Sequence, residues 1–222
     1  MRMDRHRFAA ALAAILLAAP LAAACSSSVA DPSLPCNGAA EQTRAGFYPD
    51  LEAMLPTHVG GRGVTNLRSG RYCSEKTLGL LATKSGITEL RFAGEALPDP
   101  ADASAGLALV VYHAPGLTLD ALADAQAAGA GTSQGVGAVT AARATIAGRS
   151  GIRIDATVQS GREMLFFWPA GQAGTFDAVT AIGETDARLA EAVAAFGQPA
   201  GGSTVPATPR STVPASPGST AP

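Results

Sequence analysis

The sequence predicts an α+β domain, in which an antiparallel meander of strands carries helices packed on one side. Three observations lead to this prediction. Four segments between residues 139 and 182 have the composition of strands and are separated by short glycine turns. Serine or threonine residues that can cap a helix precede three amphipathic segments. The central region, of roughly 150 residues, is long enough for one domain with a buried core.

The first third of the domain is predicted to contain two short helices and a turn. Pro49 suits the first position of a helix and Pro56 ends that helix. Residues 59–64 are rich in glycine and should join two short extended pieces. Ser74 can cap a second helix, which is predicted to run to about Ser85.

The middle of the domain is predicted to hold two strands and a further helix. Residues 88–92 alternate between polar and apolar side chains, as a half-buried strand does. Residues 97–105 contain two prolines and two aspartates and are predicted to form a loop. Residues 107–112 are apolar throughout, which is typical of a central strand covered on both faces. Thr118 can cap a helix, and residues 129–137 read as a glycine-rich loop.

The clearest pattern in the chain is the series of strands that follows. The predicted strands cover residues 139–146, 152–158, 164–168 and 175–182. The second strand alternates and should have one wet face, whereas the third is apolar on both faces and should lie inside the sheet. Thr185 can cap the last helix, in which apolar residues recur at helical spacing.

Two glycine turns in the chain are similar to each other. Residues 59–64 and residues 146–152 share a pattern of glycines around an arginine, and each precedes an amphipathic helix. The similarity leaves open a duplicated half-domain.

Composition divides the chain into four parts. We predict a signal peptide in residues 1–24, a flexible tether in residues 25–46, the α+β domain in residues 47–197 and a disordered tail in residues 198–222. The tail repeats an eight-residue unit of serine, threonine, alanine and proline, which cannot bury a core.

The N-terminal segment has the layout of a secretory signal. A short basic head is followed by an apolar run in residues 8–19 and by small residues, Ala22 to Ala24, before Cys25. The sequence Leu21-Ala22-Ala23-Ala24-Cys25 resembles the lipobox of bacterial lipoproteins, although Ala22 stands where that class usually has a large aliphatic residue. The resemblance covers residues 1–28. It implies that Cys25 receives a lipid and holds the protein on the extracytoplasmic face of the membrane, in the cell envelope.

The cysteine count bears on how the segment is processed. Ordinary cleavage after Ala24 is the alternative, and it would leave Cys25 as an odd thiol in an oxidising compartment. Cys36 and Cys73 both lie in the exported part and are expected to form a disulfide.

The charge of the chain argues against nucleic acid as a partner, because the formal net charge is only −2. The charge is nevertheless uneven, since residues 57–91 are mostly basic whereas residues 92–142 contain no lysine or arginine. The basic segment is either a solvated face or a contact for anionic lipid headgroups or cell-wall polymers.

Few residues in the domain carry recognisable chemistry. His58 and His113 are far apart in sequence, and no Cys-x-x-Cys occurs, so we expect neither a metal nor a cofactor. Ser150 lies one residue short of a Gly-x-Ser-x-Gly elbow and in a predicted hairpin. If the domain has a site, His113, Ser150 and Asp155 are the first candidates for it.

These observations favour a lipid-anchored binding or interaction module for an unknown ligand, such as a small molecule or a cell-wall polymer. No catalytic residue is assigned, because the sequence shows no nucleophile, acid–base pair or metal site in a recognisable arrangement. Two alternatives remain. One is a cell-envelope hydrolase with a dispersed site, and the other is a structural, wall-associated lipoprotein.

Overall fold

A computed structural model describes residues 33–38, 41–132, 135–158 and 161–197. The predicted signal peptide, the predicted lipidation position at Cys25 and the predicted tail all lie outside the described residues.

One large antiparallel sheet dominates the domain. The strands, in chain order, are β1 (Thr43–Arg44), β2 (His58–Val59), β3 (Arg62–Gly63), β4 (Arg68–Tyr72), β5 (Leu90–Pro98), β6 (Gly106–His113), β7 (Val139–Ile146), β8 (Arg149–Val158), β9 (Gly161–Pro169) and β10 (Thr175–Ile182). Eight of them form the sheet in the order β1-β4-β5-β6-β10-β9-β8-β7, whereas β2 and β3 form a separate hairpin. All pairs are antiparallel, so the predicted α+β class is confirmed.

Five described helices pack against this sheet, and they do so on both faces. The helices are α1 (Pro49–Glu52), α2 (Glu75–Leu78), α3 (Leu80–Thr83), α4 (Leu119–Thr132) and α5 (Asp186–Ala195). We call face A the side of the sheet covered by α1, α5 and the β2–β3 hairpin, and face B the side covered by α2, α3 and α4. The prediction that the helices lie on one side is therefore wrong.

The strand sequences explain why both faces need a cover. Leu109 and Val111 of β6 belong to the core on face A, whereas Val110 and Tyr112 of the same strand belong to the core on face B. The same alternation runs through β9, where residues 163–168 are all buried. A strand that is apolar on both sides must be covered on both sides, because exposed apolar surface costs about 25 cal/mol per Å².

A glycine interrupts the helix predicted after Ser74. The Ser74 Oγ accepts a hydrogen bond from the Thr77 amide at 3.3 Å, so the predicted cap is present. Gly79 has a φ of 54°, which a right-handed helix does not accommodate, and it separates α2 from α3. The segment predicted as one helix is therefore two short ones.

Tertiary contacts also move two predicted boundaries. Strand β5 extends to Pro98, into the segment predicted as a loop, because residues 97 and 98 pair with the start of β6. Helix α4 continues through Gly129 to Thr132, where a glycine-rich loop was predicted, and buries Ala130. Burial against the sheet outweighs the low helix propensity of glycine, which is about 1 kcal/mol per residue.

Strand β4, near one edge of the sheet, was not predicted from the sequence. Residues close to the disulfide cover its outer side. Cys36 and Cys73 are bonded, as the sequence predicted. Thr43 and Arg44 form β1 on the outer side of β4, and the Arg71 guanidinium donates to the Leu34 carbonyl at 2.9 Å. The later part of the predicted tether thus belongs to the folded domain.

The two similar glycine turns occupy different places in the fold. Residues 59–64 lie in the separate β2–β3 hairpin, whereas residues 146–152 join β7 to β8 within the main sheet.

Candidate functional site

A row of polar side chains crosses face A at one end of the sheet. The strand registers place Arg71 opposite Arg91, Arg91 opposite His113, and His113 opposite Thr175. All four lie on the side of their strands that faces α1 and α5, since each is an even number of positions from a residue of the face A core. We call this row, together with Arg149 and Asp177 described below, the rim.

His113 is at the centre of the rim, as the last residue of β6. Its Nδ1 lies 2.9 Å from the Oγ1 of Thr175, the residue directly opposite on β10. Thr175 is fully buried and holds the imidazole in one orientation, whereas His113 itself is half-buried. The Nε2 atom makes no hydrogen bond in the described part of the chain, so it is free to contact a ligand.

Arg91 forms the adjacent part of the rim, and its guanidinium is positioned by two neighbours. The Nε of Arg91 donates to the Oε1 of Glu89 at 3.0 Å, and the guanidinium carbon lies 5.1 Å from the ring centroid of Tyr48. Burial by itself would raise the pKa of Glu89, but the hydrogen bond and charge of Arg91 outweigh it and lower that pKa. The side chain of Arg91 remains 41 % exposed.

Asp177 belongs to the rim as well and lies two residues after Thr175 on β10, on the same face of the sheet. It is 8 % exposed, and its Oδ1 has no hydrogen-bond partner in the described residues. The indole N–H of Trp168, opposite Asp177 on β9, is also buried and falls short of hydrogen-bond geometry. Burial raises the pKa of Asp177 to about 7, against the opposing effects of the Arg149 charge and the Trp168 indole.

Arg149 bounds the rim on the side of α5. It begins β8, and its Nη2 donates to the carbonyl of Phe196 at 2.9 Å, at the end of α5. A cation there is favourable, because the carbonyls that end a helix carry a partial negative charge. The contact places a positive charge at the helix end, and the same charge acts on Asp177, where it opposes the effect of burial on the pKa.

The rim therefore combines hydrogen-bond donors with a buried carboxyl. The imidazole Nε2 and the exposed part of the Arg91 guanidinium lie on adjacent strands, which are about 4.8 Å apart in a sheet. Two such groups can bind a carboxylate or a phosphate. Because burial raises the pKa of Asp177 to about 7, this carboxyl changes its charge close to neutral pH.

A second buried carboxyl, that of Glu163, lies on face B and is unrelated to the rim. It is 2 % exposed, and its Oε2 has no hydrogen-bond partner in the described residues. Burial raises the pKa of Glu163 to about 7.

The structure does not bring the three candidate residues from the sequence together. Ser150 lies on face B, the side shared by Ile152 and Ile154, and its hydroxyl is 3.4 Å from that of Thr145. Asp155 lies on face A but pairs with Arg153 and Arg162, near the start of α5. His113 is separated from β8 by β10 and β9.

Other kinds of site are not visible in the described ranges. There, no three His, Cys, Asp or Glu side chains are grouped closely enough to hold a metal ion. In the same ranges, no helix combines the length and the apolar character needed to cross a membrane.

Comparison with known proteins adds no family. The chain matches no protein-family model, no curated protein and no solved structure. Any functional conclusion must therefore come from the residues themselves.

Sequence reasoning missed most of the rim. Locally, Arg91 is one of several basic residues in its segment, Arg149 is the arginine of a glycine turn and Thr175 begins a strand, so none of the three indicates a site. Asp177 carried the one usable signal, because a single carboxylate in the otherwise apolar segment of residues 175–182 is unusual. The pairing of β6 with β10 could not be read from local patterns.

Proposed function

We propose that this chain is an extracytoplasmic binding module, anchored to the membrane by a lipid on Cys25, and that the rim receives its ligand. The Cys36–Cys73 disulfide is the main support for the proposed extracytoplasmic location, since such bonds persist in oxidising compartments. It also uses two of the three cysteines, so Cys25 has no partner left within the chain.

The geometry of the rim supports binding of an anionic group. His113 and Arg91 are each fixed by a neighbour, Thr175 and Glu89 respectively. Arg91 keeps guanidinium N–H groups for a ligand, and the imidazole adds a donor at Nε2 in the tautomer in which the Thr175 hydroxyl donates to Nδ1. Groups that are already positioned lose little conformational entropy when they bind. A carboxylate or phosphate on a small molecule or a cell-wall polymer fits these donors.

Hydrolysis has less support from the same residues. The hydroxyl of Ser150 is on the opposite face from His113, so the imidazole cannot act as its base in this fold. Asp155 is occupied by two arginines and does not orient the histidine.

The anchor is tested by replacing Cys25 with serine in the native host. We expect the Cys25→Ser protein to leave the membrane fraction or to remain unprocessed, because serine has no sulfur to receive the lipid. Membrane fractionation and intact mass measure both effects. A variant that fractionates and migrates like the unchanged protein would rule out the lipid anchor.

Ligand binding is tested on protein purified from the native host in mild detergent. Mass spectrometry of co-purifying molecules should find an anionic compound that is lost, by tenfold or more, in a His113→Ala, Arg91→Ala double variant. Ser150→Ala is the matched control, since Ser150 lies on the other face. A compound retained equally by all three proteins would place the ligand elsewhere.

A further inference from the structure

A carboxyl group lies in the apolar layer of face B. Glu163, near the start of β9, is 2 % exposed, and its Oε2 atom has no hydrogen-bond partner in the described residues. Its direct neighbours on the adjacent strands are Ala156 of β8 and Ile182 of β10, which cannot solvate a charge. An unpaired carboxylate is costly in such surroundings, so burial favours the neutral carboxyl.

Helix α4 covers this part of face B. It contacts β7, β8 and β9, and Asp120 in its first turn pairs with Arg143 of β7. On one side of Arg143 face B is open, since Ser150 is exposed, whereas on the other side Ala156 is buried. The helix therefore runs from Arg143 toward the end of the sheet where Ala156 and Glu163 lie.

The C-terminal end of α4 reaches the level of Glu163. From the ion pair in the first turn, the helix rises about 15 Å to Ala130, and β7 covers about 13 Å in the same direction to Val139. Val139 pairs with Ala156, and Ala156 pairs with Glu163. Ala130 is buried. The last turns of α4 therefore lie over Glu163.

This end of α4 is a weak part of the helix. Residues 126–132 contain Gly129 and Gly131, and glycine disfavours a helix more than any residue except proline. Ala130 is the one residue of this segment that is buried, whereas Leu122 and Ala123 fasten the first half of the helix to the sheet. The last turns can therefore separate from the sheet while the first half stays in place.

The charged groups on the surrounding elements do not stabilise an ionised Glu163 under the helix. They are Arg143 on β7, Arg149, Arg153 and Asp155 on β8, Arg162 on β9, Asp177 on β10, and Asp120 and Asp124 on α4. Those on β8, β9 and β10 lie on face A, the opposite side of the sheet. Arg143 is paired with Asp120 at the far end of the helix, and Asp124 would repel a carboxylate. Residues 125–132 carry no charge.

We propose that residues 126–132 of α4 form a pH-sensitive cover, which is closed over protonated Glu163 and opens when Glu163 ionises. Burial raises the pKa of this carboxyl from 4.5 to about 7. The closed form therefore holds more protons than the open form between these values, and it loses stability as the pH rises. Opening exposes face B at the end of the sheet opposite the rim, so the cover is separate from the proposed ligand site.

Amide hydrogen exchange on the full-length protein in mild detergent tests the cover. After correction for intrinsic exchange rates, the protection of residues 126–132 should fall at least tenfold from pH 5 to pH 8. Glu163→Gln should keep the same protection at both pH values, whereas Asp124→Asn, an exposed carboxylate on the same helix, should behave like the unchanged protein. A fall that persists in Glu163→Gln, or no fall in the unchanged protein, overturns the proposal. Exchange as slow as that of β6 would also overturn it, because the whole domain would then open together.

Variants within the cover provide a second measurement that leaves Glu163 in place. A Cβ at Gly129 or Gly131 would meet no atom within 4 Å, so the Gly129→Ala, Gly131→Ala double variant changes helix propensity without a clash. Its protection in residues 126–132 should be at least tenfold higher at both pH values. Ala128→Gly, at an exposed position, should lower that protection about fivefold. Protection that is unchanged in both variants would show that this segment does not open as a helix end.

Discussion

Replacing both Cys36 and Cys73 with serine should lower the free energy of unfolding by about 4 kcal/mol, the largest single loss that we expect in this chain. The bond closes a loop with a sequence separation of 37 residues, and in the chain-entropy model the loss of that constraint stabilises the unfolded state. The bond also fastens the segment that covers β4, so its removal should expose this edge.

Chemical denaturation monitored by tryptophan fluorescence measures this loss, because the only tryptophan, Trp168, is buried in the core. The comparison needs the unchanged protein with and without a reducing agent, and the double serine variant. The reduced protein and the variant should unfold at the same, lower midpoint. Equal midpoints for all three would show that the bond contributes nothing to stability.

The second large effect that we expect is a loss of stability between about pH 4.5 and pH 7, because two buried carboxyls stay protonated in the folded protein at pH values where they ionise in the unfolded chain. Burial raises the pKa of Glu163 from 4.5, and that of Asp177 from 3.8, to about 7 in each case. The folded protein therefore holds more protons than the unfolded chain in this interval, and its stability falls as the pH rises. At a pH below the pKa values of the two groups in the unfolded chain, the stabilising contribution of the two protonated carboxyls is fully present.

The expected change in the free energy of unfolding is about 1.4 kcal/mol for each unit by which a pKa differs between the folded and unfolded states. For Glu163 the effect is of the order of 2–3 kcal/mol, since some relaxation around the carboxylate reduces the ideal value. Glu163→Gln should therefore be more stable than the unchanged protein at pH 8 and about equally stable at pH 5. Asp177→Asn should show the same trend, reduced by the loss of the favourable charge interaction with Arg149.

Unfolding free energies at pH 5 and pH 8 test this expectation, with Asp124→Asn as the control. Asp124 is an exposed carboxylate on α4, and its removal should leave the pH dependence unchanged. A carboxylate whose pKa is lowered by folding, such as Glu89, makes the stability rise as the pH rises, and it does so only at lower pH. Glutamine and asparagine variants that keep the full pH dependence would show that neither carboxyl is its source.

The sequence by itself determined the elements whose evidence is local. The alternation in residues 152–158 and the apolar run in residues 164–168 correctly predicted a strand with one wet face and a strand inside the sheet. The last helix was predicted with its cap at Thr185 and apolar residues at helical spacing; the cap is present, and Leu189 and Val193 are buried. These features depend on side-chain periods of two and of about 3.6 residues, which neighbouring residues display without any tertiary contact. The disulfide was predicted from the cysteine count together with the predicted export of Cys36 and Cys73.

Only the tertiary structure decided how these elements combine. The order β5-β6-β10 brings Arg91, His113 and Thr175 into one row, although His113 and Thr175 are 62 residues apart in sequence. Pairing between such distant strands depends on the packing of the whole sheet, and no local pattern records it. The same packing extended α4 across glycines that favour a loop, placed helices on both faces, and separated Ser150 from His113. The free energy gained by burying residues against the sheet exceeds the local helix and loop preferences on which the sequence predictions depend.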